Sequence, residues 1–520
     1  MIQQKQLASA TDMLSIHGSI VHMLDHTCSL WGQQTAIVFG EQRLTYSELR
    51  SCVVGLAQAL RNAGVEGQRV ATILPNSITA CIAPYAIAAA GAQHIPMNAQ
   101  YTARELSYML KDAAPALVLI DDTVWQKVTS LLTDLPSCKS WASSEVLLQI
   151  PGWLDKFQEA NLVALYPATD TPALLQYTGG SSGFPKGVHL SHHAIATNVS
   201  QREGLLPVTP GQERVLCVMP LFHSYAMAMG LFLCGYSGST LVVLPAYHPE
   251  RVLEAIEEHQ ITIFPGSPTI FTGLMACDMF MKTDWRSVHT CYSGSAALQA
   301  ETMRRWQEAT HAPIYEGYGQ TEAGPVLTFN PAQGPIKVAS VGIPVPWTEV
   351  QVVDLETGMR VLPFGEHGEI RARGPQVMLG YHGLVQENTE TLREGWLYTG
   401  DIGEFDEDGY LFIRDRKKDM VIVSGYNVYP REVEEILFTH PNVLDAAVIG
   451  QKDAYRGEVL LAFVVLQEGV IFNAKEIQDF CALHLARYKI PYQVEIRSGL
   501  PKTSVNKTDK KVLKKSVGNA

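Results

Sequence analysis

Hydrophobic residues follow two alternating periodicities in the first part of the chain. Short apolar runs rich in β-branched residues predict strands at residues 69–75 and 116–122. Before and between them, apolar residues spaced three and four positions apart predict helices over 44–64 and 102–113. This alternation is typical of parallel sheets covered by helices.

The same alternation of strand and helix patterns continues to about residue 300. A helix is predicted over 249–260 and a strand over 261–266. From about residue 338, turn-forming sequences crowd between short apolar runs, which predicts an antiparallel sheet or a small barrel.

A charged cluster, DRKKD at residues 415–419, marks a predicted domain boundary near residues 415–418. Beyond it, helices are predicted over 430–440 and 474–488, and strands over 446–450 and 460–466. The pattern therefore predicts an N-terminal domain of residues 1–415 and a C-terminal domain of residues 416–518.

Composition narrows the class of protein. Hydrophobic residues make up 46% of the 520 positions and charged residues 18%, which suits a folded globular chain. The net charge of −12 argues against nonspecific nucleic-acid binding. None of the nine cysteines forms a C-x-x-C pair, and the N-terminus lacks a hydrophobic signal core. We therefore expect a cytoplasmic protein.

One uncharged stretch has the length of a membrane span. Residues 215–249 contain no Lys, Arg, Asp or Glu, but prolines, glycines and serines interrupt them. We predict a buried helix near 224–236 and a buried strand at 240–244 instead. The apolar stretch 78–92 is short and contains Pro84, so no integral membrane segment is expected.

The sharpest local signal is T-G-G-S-S-G-x-P-K-G at residues 178–187. Its glycines allow backbone N–H groups to approach an anion, its hydroxyls add donors, and Lys186 adds positive charge. This composition predicts a phosphate-binding loop, with a flexible Gly/Ser surface loop as the alternative. It is not a Walker A loop, because Pro185 precedes the lysine and no Ser or Thr follows it.

This motif resembles the AMP-binding loop of the adenylate-forming superfamily, which includes acyl-CoA synthetases, peptide-synthetase adenylation domains and luciferases. The resemblance extends from about residue 25 to residue 511, and the sequence of residues 413–435 is especially similar to bacterial fatty acyl-CoA synthetases. It implies an α/β fold. The expected N-terminal domain has two flanking α/β subdomains plus a small β-barrel, and a small mobile α+β C-terminal domain follows it.

YEGYGQTEAGP at residues 315–325 resembles the second nucleotide motif of the family. By this resemblance Tyr318 packs on adenine, Thr321 touches the α-phosphate, and Glu322 with Thr178 holds Mg²⁺. YSGSAAL at 292–298 resembles the adenine-contacting turn. The predicted ATP/AMP-binding residues in these motifs are Thr178, Gly179, Gly180, Ser181, Ser182, Gly183, Lys186, Gly294, Ser295, Ala296, Glu316, Gly317, Tyr318, Gly319, Gln320 and Thr321.

The resemblance also implies roles near the domain boundary. Asp401, in YTGD, matches the carboxylate that binds both ribose hydroxyls, and Arg416 matches an arginine that also reaches the ribose. Lys418 falls at the hinge position. An Asx turn and exposed charges are the plain alternatives for these residues.

LPKTSVNKTDKK at residues 500–511 resembles the motif carrying the catalytic lysine, here Lys507. Asn506 stands where the family usually has glycine, and asparagine tolerates left-handed backbone. The lysines that follow, Lys510, Lys511, Lys514 and Lys515, are interpreted as a basic surface tail.

VSGYNVYP at 423–430 resembles the segment lining the channel for the thiol. Within it, Ser424, Gly425 and Tyr426 are the predicted CoA-channel residues. The resemblance implies that the C-terminal domain swings between the two half-reactions.

MPLFHSYAMAMG at 219–230 matches the mouth of the acid pocket. His223 is expected to border the reacting carboxylate, and a satisfied core histidine is the alternative. Ser224 stands where enzymes selecting α-amino acids usually have Asp, so an amino-acid substrate is not expected. The predicted pocket residues are His223, Ser224, Met227, Gly266 and Gly342.

The predicted function is ATP- and Mg²⁺-dependent activation of a fatty or aryl acid to an acyl-adenylate, followed by transfer to CoA. The expected catalytic residues are Lys507, His223, Thr178 and Glu322. Transfer to the phosphopantetheine arm of an acyl or aryl carrier protein is the alternative, and a nucleotide-binding regulator without catalysis is the third hypothesis. The sequence leaves open a monomer or a homodimer.

Overall fold

A computed structural model describes residues 16–178, 185–424, 426–453, 456–467, 469–470, 473–503 and 508–517. These residues form four sheets: two large sheets with parallel centres, an antiparallel sheet, and a C-terminal mixed sheet. This arrangement confirms the predicted α/β class and the change to antiparallel pairing after residue 338.

The first large sheet has seven strands, parallel except at the edge where the phosphate-loop strands lie. In spatial order its strands are Gly380–Tyr381, Lys186–Ser191, Pro172–Thr178, Gln93–Met97, Arg69–Ile73, Leu117–Ile120 and Lys139–Ala142.

The second large sheet has nine strands and a parallel centre. In spatial order its strands are Ile343–Pro344, Thr328–Phe329, Ile314–Tyr318, Thr290–Ser293, Ile263–Gly266, Arg214–Cys217, Thr240–Val243, Thr35–Phe39 and Gln42–Thr45.

The remaining two sheets follow in the chain. The antiparallel sheet consists of Glu349–Val353, Gly368–Arg373, Trp396–Phe405, Leu392–Arg393 and Leu411–Arg416. The C-terminal sheet consists of Tyr426–Val428, Val421–Val423, Gly457–Leu466, Val443–Asp453 and Gln493–Ile496, of which only the last pairs in parallel.

Helices cover the sheets. The α-helices are Ile20–Trp31, Tyr46–Asn62, Ile78–Ala89, Ala103–Ala113, Trp125–Leu131, Ser143–Lys156, His192–Glu203, Ser224–Ala226, Leu233–Ser237, Pro249–Glu258, Pro268–Met275, Ala300–Thr310, Val385–Thr391, Pro430–Thr439, Ala474–His484 and Lys510–Val517. Short 3₁₀ turns occur at Asp122–Val124, Leu132–Asp134, Val163–Leu165, Phe280–Lys282, Thr321–Ala323 and Arg487–Lys489, and a π-helical segment at Met227–Phe232.

One continuous hydrophobic core joins the two large sheets. It contains Val70 and Leu174 from the first sheet and Ile37 and Leu241 from the second. Helix Ile78–Ala89, which is buried along its whole length, belongs to this core. Its apolar sequence therefore reflects burial between helices and sheets. Within the described part of the chain, no helix has the length and apolar composition needed to cross a membrane.

The uncharged stretch around residue 230 forms the predicted buried helix with one irregularity. Ser224–Ala226 and Leu233–Ser237 are α-helical, and Met227–Phe232 between them is π-helical. Such π turns occur frequently at functional sites. The strand predicted after it is present as Thr240–Val243.

The helix predicted over 474–488 is shorter than expected. It ends at His484, and Leu485 has extended backbone. Leu485 and Tyr488 instead pack against the core of the C-terminal sheet. Tertiary packing therefore overrides the helical spacing of the apolar residues at this end.

Candidate active site

The strands flanking the predicted phosphate loop form an antiparallel pair. Thr178, the last residue of Pro172–Thr178, lies opposite Lys186, the first residue of Lys186–Ser191. The Thr178 hydroxyl donates to the Lys186 carbonyl oxygen at 3.5 Å. Gly179, Gly180, Ser181, Ser182 and Gly183 lie outside the described residues. The chain thus enters and leaves the predicted loop at one sheet edge.

The two-residue strand Gly380–Tyr381 pairs with Lys186–Ser191 at this edge. The Lys186 ammonium lies 5.0 Å from the centre of the Tyr381 ring. The Tyr381 hydroxyl donates to Glu322 Oε1 at 2.9 Å. Tyr381 therefore connects the lysine of the first nucleotide motif to the carboxylate of the second. No sequence motif indicates this residue, because only the pairing of distant strands brings it to the site.

Glu322 lies in the 3₁₀ turn Thr321–Ala323, and its side chain is buried. Burial raises the pKa of its carboxyl group, while hydrogen bonds from its own backbone N–H and from Tyr381 lower it. The adjacent Thr321 hydroxyl lies 3.2 Å from the Ser224 hydroxyl. This contact places the second nucleotide motif directly against the predicted acid pocket.

Tyr318, Asp401 and Arg416 also come together. The Tyr318 hydroxyl donates to Asp401 Oδ2 at 2.6 Å. Asp401 lies opposite Arg416 in neighbouring antiparallel strands, with Arg416 Nε 3.6 Å from Asp401 Oδ1. Burial and the Asp401 carboxylate raise the pKa of the Tyr318 phenol. A carboxylate flanked by a phenol and a guanidinium can accept hydrogen bonds from two sugar hydroxyls.

The turn that follows strand Thr290–Ser293 requires compact residues. A Cβ atom at Gly294 would lie 2.6 Å from the Tyr225 ring, and Ser295 has a positive φ of 70°. Ala296 completes the predicted adenine-contacting segment. Glu316 stabilises this turn, because its Oε1 accepts the Leu298 backbone N–H at 2.9 Å.

The second nucleotide motif also depends on close backbone approach. A Cβ atom at Gly319 would lie 1.9 Å from the Pro325 carbonyl oxygen, and one at Gly317 would lie 2.4 Å from the Phe329 ring. Gln320 has a buried Nε2 atom without a hydrogen-bond partner among the described residues. The amide is therefore available to an acceptor that enters the site.

Three of the predicted acid-pocket residues, His223, Ser224 and Met227, lie at or near the start of the helix at residue 224. His223 precedes this helix, and its Nδ1 accepts the Tyr225 backbone N–H at 3.2 Å. Met227 is buried, and a Cβ atom at Gly266 would lie 3.1 Å from the Phe271 ring. A Cβ atom at Gly342 would lie 1.9 Å from the Phe329 backbone, so close packing alone requires this glycine.

The predicted hinge residue, Lys418, is exposed at the surface. Desolvation by neighbouring groups and the nearby Arg416 charge lower the pKa of Lys418. Asp415 accepts the Arg431 backbone N–H at 2.9 Å, which connects the last strand of the antiparallel sheet to helix Pro430–Thr439. A carboxylate at a helix N-terminus is favourable because it satisfies a free N–H group.

The predicted thiol-channel residues are partly described. Ser424 has a positive φ of 51°, and Tyr426 is 57% exposed and stacks on Tyr488 with ring centres 4.5 Å apart. Gly425 and the predicted catalytic Lys507 lie outside the described residues. Their roles therefore stay predictions from the sequence.

Matches to two protein-family models identify the family. Residues 24–382 match the AMP-binding enzyme family, and residues 432–507 match the AMP-binding enzyme C-terminal domain. The chain belongs to the AMP-binding enzymes. Within this family it is an AMP-forming acyl-CoA synthetase of the adenylate-forming superfamily, as the sequence motifs predicted.

Relatives and solved structures of AMP-binding enzymes match almost the whole chain. A long-chain-fatty-acid–CoA ligase of Bacillus subtilis (strain 168) is 37% identical, covering 93% of this chain and 92% of its own length. A feruloyl-CoA synthase of Amycolatopsis sp is 35% identical, with coverages of 93% and 96%.

Among solved structures, ATP-bound MatB from Rhodopseudomonas palustris superposes with a TM-score of 0.88 at 27% identity, covering 96% of this chain and 99% of that one. The anthranilate CoA ligase AuaEII in complex with anthranoyl-AMP gives a TM-score of 0.88 at 27% identity, with 98% of each chain covered.

Glu316, one of the predicted nucleotide-binding residues of this AMP-binding enzyme, has a carboxyl group enclosed by the protein. Its carboxyl group is fully buried, and Oε2 has no hydrogen-bond partner among the described residues. Burial raises the pKa of Glu316 from 4.5 to about 7, partly offset by the hydrogen bond from Leu298. In the structure the Glu316 side chain bonds to Leu298, in the turn that follows strand Thr290–Ser293.

This pKa shift predicts a pH-dependent effect of Glu316→Gln. The unfolded chain releases the proton near pH 4.5 and the folded chain near pH 7, so the free energy of unfolding falls as the pH rises between these values. Glutamine removes this loss while keeping an acceptor for Leu298. The variant should therefore gain stability relative to wild type between pH 4 and pH 8, by up to about 3 kcal/mol.

Thermal unfolding at both pH values measures the Glu316→Gln effect, with Glu407→Gln, an exposed loop residue, as the matched control. A stability difference that stays the same at both pH values would contradict the assignment of a raised pKa.

Proposed function

We propose that the protein activates a fatty or aryl acid with ATP to form an acyl-adenylate and pyrophosphate, and then transfers the acyl group to CoA with release of AMP. The observation that carries this proposal is the contact between Thr321 and Ser224. Their hydroxyl oxygens are 3.2 Å apart, which brings the nucleotide motif next to the predicted acid pocket. An acid carboxylate and an α-phosphate bound there would be neighbours.

The nucleotide would be held from three sides. Thr178, Lys186 and the loop between them would bind the β- and γ-phosphates, while Asp401 and Arg416 would bind the ribose. The Tyr318 hydroxyl donates to Asp401 at 2.6 Å. Tyr318 would therefore flank the adenine and orient the Asp401 carboxylate that binds the ribose. These groups come from separate strands that the fold brings together.

The donor set at Glu322 fits Mg²⁺. The described residues contain no group of three or more His, Cys, Asp or Glu side chains that could hold a metal by themselves. Mg²⁺ prefers oxygen ligands and is commonly held by one or two carboxylates together with substrate phosphates. Glu322, supported by Tyr381, and the Thr178 hydroxyl would supply these protein ligands. When bound, the ion would supply positive charge that neutralises the triphosphate.

The acid pocket favours a neutral acid tail. Ser224 offers a hydroxyl where a carboxylate would be needed to pair with an α-ammonium group, so an α-amino acid lacks a counter-charge there. The curated relatives named for long-chain fatty acids and for ferulate support both an aliphatic and an aryl acid. His223 and Met227 would border the carboxylate and the apolar tail.

Product analysis tests the proposal. Purified protein is incubated with ATP, Mg²⁺ and a pool of aliphatic and aryl acids, with and without CoA, and products are identified by mass spectrometry. An acyl-CoA that forms only with CoA is the expected result and names the acid. Acyl-adenylate without any thioester would replace CoA by a carrier protein as the acceptor, and absence of any acid-dependent product would refute the proposal.

A further inference from the structure

Two histidine rings hydrogen-bond to each other at the sheet edge where the phosphate-loop strands lie. His189 lies in strand Lys186–Ser191, and His382 immediately follows strand Gly380–Tyr381. Their facing nitrogens, His189 Nε2 and His382 Nδ1, are 3.0 Å apart. The two residues are 193 positions apart in the chain, so the pair exists only because the strands pair.

The neighbours of this pair determine where its protons lie. Gln93 Nε2 is 3.1 Å from the Leu174 carbonyl oxygen and 2.8 Å from His189 Nδ1. A carbonyl oxygen only accepts, so this Gln93 atom is the amide nitrogen and donates to both partners. His189 Nδ1 is therefore an acceptor, and His189 carries its proton on Nε2.

The direction of the remaining bonds follows. His189 Nε2–H donates to His382 Nδ1, which leaves the His382 proton on Nε2. That atom lies 3.2 Å from the Asp112 carbonyl oxygen, which accepts it. The hydrogen bonds therefore run in one direction, from the Gln93 amide through both imidazole rings to the Asp112 carbonyl oxygen. Each ring is neutral, with one nitrogen accepting a hydrogen bond and the other donating one.

The surroundings favour this neutral state. Burial, the neighbouring His382 ring and the Arg69 charge lower the pKa of His189 to about 4. The same Asp112 accepts the Tyr177 hydroxyl at Oδ2, at 2.6 Å. Asp112 thus contacts both the strand entering the phosphate loop, through Tyr177, and His382 beside the returning strand.

The pair supports a very short strand. Among the described residues, two backbone–backbone hydrogen bonds flank it: the Leu379 N–H donates to the His189 carbonyl oxygen, and the His382 N–H donates to the Gly187 carbonyl oxygen, both at 2.8 Å. Asn388 holds the Tyr381 backbone as well, since its Oδ1 accepts the Tyr381 N–H at 2.6 Å and its Nδ2 donates to the Tyr381 carbonyl oxygen at 3.0 Å. A two-residue strand has few backbone–backbone bonds to fix it. The partly buried hydrogen bond between the side chains of His189 and His382 adds a further constraint next to Tyr381.

We propose that His382, held by His189, is a positioning residue for the ATP site. It fixes Tyr381 so that the Tyr381 hydroxyl orients Glu322 and the Tyr381 ring orients Lys186. The inference rests on the proposed function, since it treats Glu322 and Lys186 as groups that bind Mg²⁺ and the phosphates.

Substitution of His382 tests the inference by equilibrium binding as well as by rate. His382→Phe removes the acceptor and the donor together and should weaken MgATP binding about tenfold, the size expected for losing a partly buried hydrogen bond. His382→Asn keeps an acceptor for His189 and should restore most of that affinity. His189→Met removes the facing donor and should reproduce the His382→Phe effect, without adding to it in the double variant.

Calorimetric titration with MgATP in the absence of acid measures these affinities. His94→Gln is the matched control, since His94 lies in the same sheet and its side chain, which is buried, bonds only to Thr72 among the described residues, at 2.8 Å. It should leave the MgATP affinity unchanged. In His382→Phe, thioester formation from supplied acyl-adenylate should stay within about twofold of wild type, because that step uses no triphosphate.

Unchanged MgATP affinity in both His382→Phe and His189→Met would overturn the inference, as would an equal loss in His94→Gln. An equal fall in both half-reactions would also overturn it, because that result indicates general loss of structure. These outcomes are distinct from failure of the proposed function, which would appear as absence of adenylation in the wild-type protein.

Discussion

Replacing Lys507 with alanine is expected to lower acid adenylation by about a thousandfold, the loss typical of removing one charged stabilising group from a transition state. The acid carboxylate and the triphosphate are both anionic, so they repel each other on approach. A lysine that contacts both would align the attacking oxygen with the α-phosphorus and stabilise the charge that develops as pyrophosphate leaves. Thioester formation from supplied adenylate needs neither effect and should stay near wild type.

The structure supplies a matched control for the Lys507 variant. Lys515 lies exposed on helix Lys510–Val517. Lys515→Ala should therefore leave both half-reactions unchanged. Adenylation is measured as acid-dependent exchange of labelled pyrophosphate into ATP. Exchange by Lys507→Ala within threefold of wild type would show that another group performs this step.

The sequence predicted the elements of the fold and identified several residues that the structure brings together. Helices such as Tyr46–Asn62 and strands such as Arg69–Ile73 follow from local periodicity, which reports burial directly. Asp401 and Arg416 were identified by resemblance to the family's ribose-binding positions, and two antiparallel strands joined by a short turn bring them opposite each other. The motifs thus identified residues that the fold places together.

Contacts between distant segments were not predictable in this way. Tyr381 and His382 lie in an ordinary apolar stretch, and only pairing with Lys186–Ser191 reveals their neighbours. Lys510, interpreted from the sequence as a surface charge, forms an ion pair with Glu434 at 2.7 Å, so that interpretation was wrong. Charge composition indicates a solvated tail, but it does not report which acidic side chain a helix meets after folding.

Replacing Glu322 with glutamine is expected to lower adenylation by at least about a hundredfold, because it removes the negative charge that would hold Mg²⁺ at the triphosphate. The amide has nearly the same shape, and its oxygen can still accept the Tyr381 hydroxyl that lies 2.9 Å from Glu322. The loss should therefore come from charge and not from altered packing. It should appear as a higher Mg²⁺ concentration needed for half-maximal adenylation.

Tyr381→Phe serves as the graded comparison for the Glu322 variant. It removes one hydrogen bond to Glu322 but keeps the carboxylate and the ring beside Lys186, so adenylation should fall only about fivefold to tenfold. Unchanged Mg²⁺ dependence in Glu322→Gln would contradict the assignment of this carboxylate as a metal ligand.

The thermal stability of Glu322→Gln supplies an independent measurement. Burial raises the pKa of Glu322, so the neutral amide removes the cost of a buried charge. The melting temperature of Glu322→Gln without nucleotide should therefore equal or exceed that of wild type, even though its adenylation is lost.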